Sequence, residues 1–136
     1  MIVKSYELTK INSHKCSVFL FYGQNEGFKH EITKKYFIDK FKGDIFRYDE
    51  KEVLDNKTDF FNGIFSRSFF EEKKLFVISR VTDKLNDIIE EILEKKTKDI
   101  TIILNASTLV KKSKLRKLFE KNKNIICIPF YEDNIQ

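Results

Sequence analysis

The residues Gly23-Gln24-Asn25-Glu26-Gly27-Phe28-Lys29-His30 stand between an apolar run and an amphipathic one, where a phosphate-binding loop would stand. A working loop of that kind needs G-x-x-x-x-G-K-[ST], because backbone N–H groups cradle the phosphates, the lysine neutralises them and the hydroxyl holds magnesium. This turn has no such lysine–hydroxyl pair, and Glu26 sets a negative charge where phosphate should lie. The third apolar run, Leu75-Phe76-Val77-Ile78, leads into Ser79-Arg80, where a magnesium-binding acid would be required. G-x-G-x-x-G is absent as well, which argues against a dinucleotide site. Asp44, Asp49, Asp55 and Asp59 read as solvated carboxylates at helix starts and turns before they read as a catalytic set. Cys16 precedes a strand and has no activating neighbour in sequence. The expectation is a chain that is not an enzyme and needs no cofactor.

A second stretch points to binding. In Ser66-Arg67-Ser68-Phe69-Phe70-Glu71-Glu72-Lys73-Lys74 a very short helix runs into a strand. Ser68 with Glu71 fits a capping box, in which the serine hydroxyl and the glutamate side chain satisfy free N–H groups at a helix start. Two adjacent phenylalanines on one turn of helix cannot both face a core. By chemistry alone Phe69 and Phe70 either pack onto the sheet or serve a partner, since most aromatics are core.

Composition sets the frame. At 136 residues the chain is one domain's worth, read as a single domain over 1–136. With 41% hydrophobic residues and 14 phenylalanines it is too apolar to be disordered. The net charge of +5 permits weak attraction to nucleic acid or an acidic protein, although the lysines are spread among acids instead of forming one block. Cys16 and Cys127 lie far apart without C-x-x-C spacing, and His14 and His30 have no ligand set beside them, so neither a disulfide framework nor a metal site is expected. No apolar run approaches the roughly 18 residues that cross a bilayer, and the first residues lack a signal segment, so the expectation is a cytoplasmic protein without a membrane partner.

Periodicity supplies the scaffold. Near-continuous apolar runs at 17–22, 74–79, 100–104 and 125–128 read as strands buried on both faces, and the more alternating 44–49 as a strand nearer an edge. Helical spacing fills the gaps at 27–41, 50–65, 83–96 and 113–122, with Thr82 or Asp83 capping the third of these and Pro129 closing the last strand. Strands alternating with helices predict an α/β fold, a three-layer open parallel sheet of about five strands, covered on both faces. The order of elements is AAA+/P-loop-like with a degenerate nucleotide site.

Three segments together resemble a known family. They are Phe19-Leu20-Phe21-Tyr22-Gly23-Gln24-Asn25-Glu26, Ser68-Phe69-Phe70-Glu71-Glu72-Lys73-Lys74-Leu75-Phe76-Val77-Ile78 and Leu109-Val110-Lys111-Lys112-Ser113-Lys114-Leu115-Arg116-Lys117-Leu118. In this order and spacing the chain resembles the N-terminal domain of the delta subunit of bacterial DNA polymerase III, the clamp-loader subunit that opens the sliding clamp in DNA replication. The resemblance implies that Ser68, Phe69 and Phe70 enter a hydrophobic pocket on the clamp, with Phe69 where the family carries leucine, and that the domain hydrolyses no ATP. It further implies a longer subunit with lid and collar domains, partnered by the clamp (the beta subunit), by the gamma/tau and delta prime subunits, and indirectly by DNA. Two other readings stand beside it: an NTPase with an unusual phosphate loop, and a general nucleic-acid-binding module using Lys111, Lys112, Lys114, Arg116, Lys117 and Lys121.

Overall fold

The computed structural model describes residues 2, 18–65, 73–95, 100–122 and 124–130. Five strands, β1 (Val18–Tyr22), β2 (Gly43–Asp49), β3 (Lys73–Val81), β4 (Ile100–Ala106) and β5 (Ile126–Pro129), form one all-parallel sheet in the order β2-β3-β4-β1-β5. Between them run α1 (Glu26–Thr33), a π-helical segment (Lys34–Ile38), α2 (Glu50–Asp55), α3 (Lys57–Phe65), a 3-10 turn (Asp83–Leu85), α4 (Asn86–Glu94) and α5 (Lys114–Lys121). The expected three-layer α/β architecture is present, and the alternating strand is indeed at an edge.

The two layers of helix follow from the strand order. The connection leaving β1 runs toward the β2 edge, whereas those leaving β2, β3 and β4 all run toward the β5 edge. Crossovers of one hand that travel in opposite directions lie on opposite faces of the sheet. Accordingly α1 and the π segment cover one face through Phe28, Ile32, Tyr36 and Phe37, against Phe19, Phe21, Leu75, Val77 and Ile103. The opposite face packs Val53, Phe60, Ile64, Ile89, Leu115 and Phe119 against Leu20, Phe76, Ile78, Ile102 and Leu104. Alternate residues of each strand serve alternate faces, the period of two of a pleated strand.

Two helices depart from the expected spans for local reasons. The helix expected over 50–65 is broken at Asn56, whose backbone (φ −134°, ψ 50°) leaves the helical region while its side-chain amide donates to the Glu52 carbonyl at 3.2 Å. The helix expected over 27–41 is α-helical only to Thr33. There the Thr33 hydroxyl donates to the Lys29 carbonyl at 2.8 Å, a bond that competes with the regular ladder, and the wider π turn follows. β3 is longer than expected and runs to Val81 across a bulge at Ser79/Val81, with Arg80 in a left-handed conformation (φ 56°). Among the described residues no helix is long and apolar enough to cross a membrane.

The aromatic ladder on the larger face gives a direct test of packing. Phe76 stacks on Phe46 at 5.0 Å between centroids and meets Phe60 edge-on at 6.0 Å, with almost no exposed surface. Phe76→Ala is expected to cost about 3–5 kcal/mol of stability, read as a lower urea midpoint with an unchanged slope.

Candidate functional site

In an open α/β sheet the ligand crevice lies beyond the carboxyl ends of the strands, where neighbouring connections leave to opposite faces. Here that point falls between β1 and β4, at Gly23 and Ser107. Gly23 is obligatory. Its φ is +117°, and a Cβ there would lie 2.1 Å from the Phe130 carbonyl oxygen.

Several amides of the turn after β1 are bonded within the chain. Gly23 N–H donates to the Ser107 carbonyl (2.6 Å), Asn25 N–H to the Phe130 carbonyl (3.1 Å), Glu26 N–H to the Gln24 carbonyl (2.8 Å) and Lys29 N–H to the Asn25 carbonyl (3.0 Å). Asn25 caps α1, its side-chain oxygen accepting from Phe28 N–H at 3.1 Å. Phe130 N–H reaches the Tyr22 carbonyl at 2.6 Å, so the end of β5 is laced to the same turn. The amides of Glu26, Phe28 and Lys29 are among those that would cradle a phosphate in an open loop.

Lys29 is the residue that sequence reasoning missed. It stands six residues after Gly23, the spacing of a phosphate-loop lysine, but Phe28 replaces the glycine before it and His30 the hydroxyl residue after it. Its side chain is fully buried, and its ammonium donates to the Ala106 carbonyl and to Glu26 Oε1, each at 2.6 Å. The broken motif concealed it; the signal available was the interval from Gly23 alone.

The remaining acids along this edge are also structural acceptors. Glu50, 6% exposed, accepts from Thr82 N–H (2.6 Å) and the Thr82 hydroxyl (2.8 Å), tying the start of α2 to the end of β3. Thr82 in turn caps the 3-10 turn through Lys84 N–H at 3.2 Å. Asp83 accepts from the Ser113 hydroxyl and from the Lys114 and Leu115 amides at 3.2 and 3.3 Å, capping α5 from outside. Partial burial raises the Asp83 carboxyl. The hydrogen bonds from Ser113, Leu115 and Lys114 and the Lys114 charge outweigh that and hold it below its ordinary value of 3.8. Asp49 pairs with Arg80 at 3.2 Å, while Asp44, Asp55 and Asp59 are exposed. Among the described residues no three acids, histidines or cysteines stand where they could hold a metal ion.

Ser68, Phe69 and Phe70 lie outside the described residues, as do His14 and Cys16. The described chain leaves α3 at Phe65 and resumes at Lys73, which pairs with Gly43 at the amino end of the sheet. Those flanks are at the edge opposite the β1/β4 crevice. At the end of α3, Phe61 and Phe65 stack at 5.7 Å, Lys95 lies 4.6 Å over the Phe65 ring, and the Lys74 ammonium donates to the Gly63 carbonyl at 2.9 Å. Cys127 is a free thiol in β5 that burial pushes up to about 11, which leaves it inert at neutral pH.

On the basic helix Lys114, Lys117 and Lys121 are exposed, as are Lys111 and Lys112 before it. Arg116 is not available in the same way. It donates to Glu120 and to the Leu109 carbonyl, each at 3.0 Å, and its guanidinium lies 5.1 Å over the Tyr22 ring. No protein-family model matches the chain, and no curated protein matches it.

The Asp83 cap predicts an acid limb. A carboxyl held low in the folded state contributes stability that is complete above its unfolded value and is lost as pH falls through the folded one. Asp83→Ala should lose about 1 kcal/mol at neutral pH. Its urea midpoint should also fall less steeply than the parent's below about pH 4, where the parent loses the contribution that the variant already lacks.

Proposed function

We propose that the chain is a clamp-loader domain of the delta-subunit type, which binds and helps open a DNA polymerase sliding clamp without hydrolysing ATP. The observation that carries the reading is the β1 turn. It has the strand–turn–helix frame of a nucleotide site, yet the amides of Gly23, Asn25, Glu26, Phe28 and Lys29 are bonded within the chain and its lysine is turned inward. A nucleotide-binding type of core with its phosphate loop engaged internally suits a subunit whose work is to hold a partner. The parallel sheet and the alternation of elements on which the resemblance rests support it further.

In this reading Ser68, Phe69 and Phe70 form the contact, with Phe69 and Phe70 as apolar anchors in a pocket on the clamp. Binding favours a distorted clamp interface, and the clamp springs open. Aromatic anchors at the centre of an interface cost about 2 kcal/mol or more each on truncation. Titration of the chain into the sliding clamp of the same organism should give micromolar or tighter binding by calorimetry. The Phe69→Ala/Phe70→Ala variant, shown to be folded by circular dichroism, should bind on the order of a hundredfold or more weakly. No binding by the folded parent chain would refute the assignment.

The exposed Lys111, Lys112, Lys114, Lys117 and Lys121 favour a second reading as a nucleic-acid-binding module. It predicts salt-dependent binding of single-stranded DNA by fluorescence anisotropy, with each lysine replaced by alanine lowering the salt slope by about 1 at most. A parent chain that shows no DNA binding at low salt removes this reading.

A further inference from the structure

The Lys29 ammonium is a charge without exposed surface, and a buried charge is tolerated only when it is paired and hydrogen-bonded. Its two partners lie on the two sides of the β1/β4 crevice. Glu26 is in the first turn of α1, and Ala106 is the last residue of β4. In an open phosphate loop, lysine at this interval reaches along the crevice to phosphate oxygens, and the helix N-terminus behind it favours the same negative charge. Here the negative group near that N-terminus is the Glu26 carboxylate, whose side chain is 67% exposed, so the anion faces the solvent and the ammonium faces the interior.

We infer that this turn carries its own ligand: the Glu26 carboxylate takes the place of a phosphate on Lys29, and the ammonium, bridging α1 to the end of β4, holds the crevice shut against nucleotides. The bridge from Lys29 to Ala106 runs beside the Gly23 N–H bond to the neighbouring Ser107 carbonyl, so the end of β4 is fastened to α1 and to the β1 turn at two adjacent points. An arriving phosphate would meet a carboxylate instead of an unpaired cation, and Glu26, Phe28 and Lys29 amides already bonded within the chain. The closed state is therefore built into the covalent chain and does not respond to nucleotide supply. This inference concerns the carboxyl edge of the sheet and stands whether or not the chain binds a clamp.

The test uses the full 136-residue chain. In a proton–nitrogen correlation spectrum selective for lysine ammonium groups, Lys29 should give a slowly exchanging signal at neutral pH, absent from Lys29→Met. Exposed lysines exchange too fast to be seen. Glu26→Gln, which removes the stand-in anion and keeps the Ala106 acceptor, should keep the signal but speed its exchange. Lys29→Met leaves the Ala106 carbonyl without its buried donor and should lower Tm by roughly 5 °C. Magnesium-ATP and inorganic tripolyphosphate should leave the Tm of the parent chain unchanged. A rise in parent Tm with either probe would overturn the inference, and so would the absence of a slow ammonium signal. If Lys29→Met fails to fold, the parent chain's ammonium spectrum and the two melting titrations decide the matter without it.

Discussion

Every residue of β1 is buried, because the strand lies between β4 and β5 and is covered by helix on both faces. That single constraint organises the molecule. A strand buried on both faces needs apolar residues at consecutive positions, and Val18-Phe19-Leu20-Phe21-Tyr22 supplies them, with Val18, Leu20 and Tyr22 facing one core and Phe19 and Phe21 the other. Placing β1 in the interior of the sheet then forces its outgoing connection to run one way while those of the following strands run the other. The two helical layers and the crevice at Gly23 both follow from this. The crevice is thus a consequence of topology, present whether or not the chain uses it for a ligand.

What the chain does with that crevice is a matter of where its polar groups are spent. Glu26, Glu50 and Asp83 are all near the carboxyl ends of strands, the usual place for catalytic acids, and each is engaged as an acceptor, Glu26 within α1 and Glu50 and Asp83 between elements. Carboxylates used as caps and ties stabilise locally by amounts of the order of 1 kcal/mol each, enough to matter in a domain whose net stability is a small difference between large terms. In the proposed reading the partner contact follows Phe65 and precedes Lys73, the described ends of α3 and β3 at the amino edge, and the two edges of the sheet have separate tasks.

Much of this was legible in the sequence, for physical reasons that can be named. Doubly buried strands write uninterrupted apolar runs, and the amphipathic helices write a 3.6-residue stripe, so Ile88, Ile89 and Ile92 on α4 and Leu115 and Phe119 on α5 were readable as core before any coordinates. The edge position of β2 followed from its mixed pattern. Less legible were the features set by one side chain against a distant backbone group. Asn56 divides a continuous apolar stripe without disturbing its period, and Thr33 widens a helix through a bond that hydropathy does not record. The burial of Lys29 left no mark in the sequence, because only the fold brings the Ala106 carbonyl, 77 residues away, within reach. Of the two residues read as caps for the helix over 83–96, Thr82 serves that start, whereas Asp83 serves, across 30 residues, the start of α5.

Separation of the two edges is the account's central claim, and hydrogen–deuterium exchange of the chain with and without the sliding clamp of its own organism tests it most directly. The account predicts that the clamp slows exchange at residues 65–74 and leaves the amides of residues 23–29 and 106–115 unchanged. Slowed exchange at the β1 turn and the start of α5, with none between α3 and β3, would contradict it.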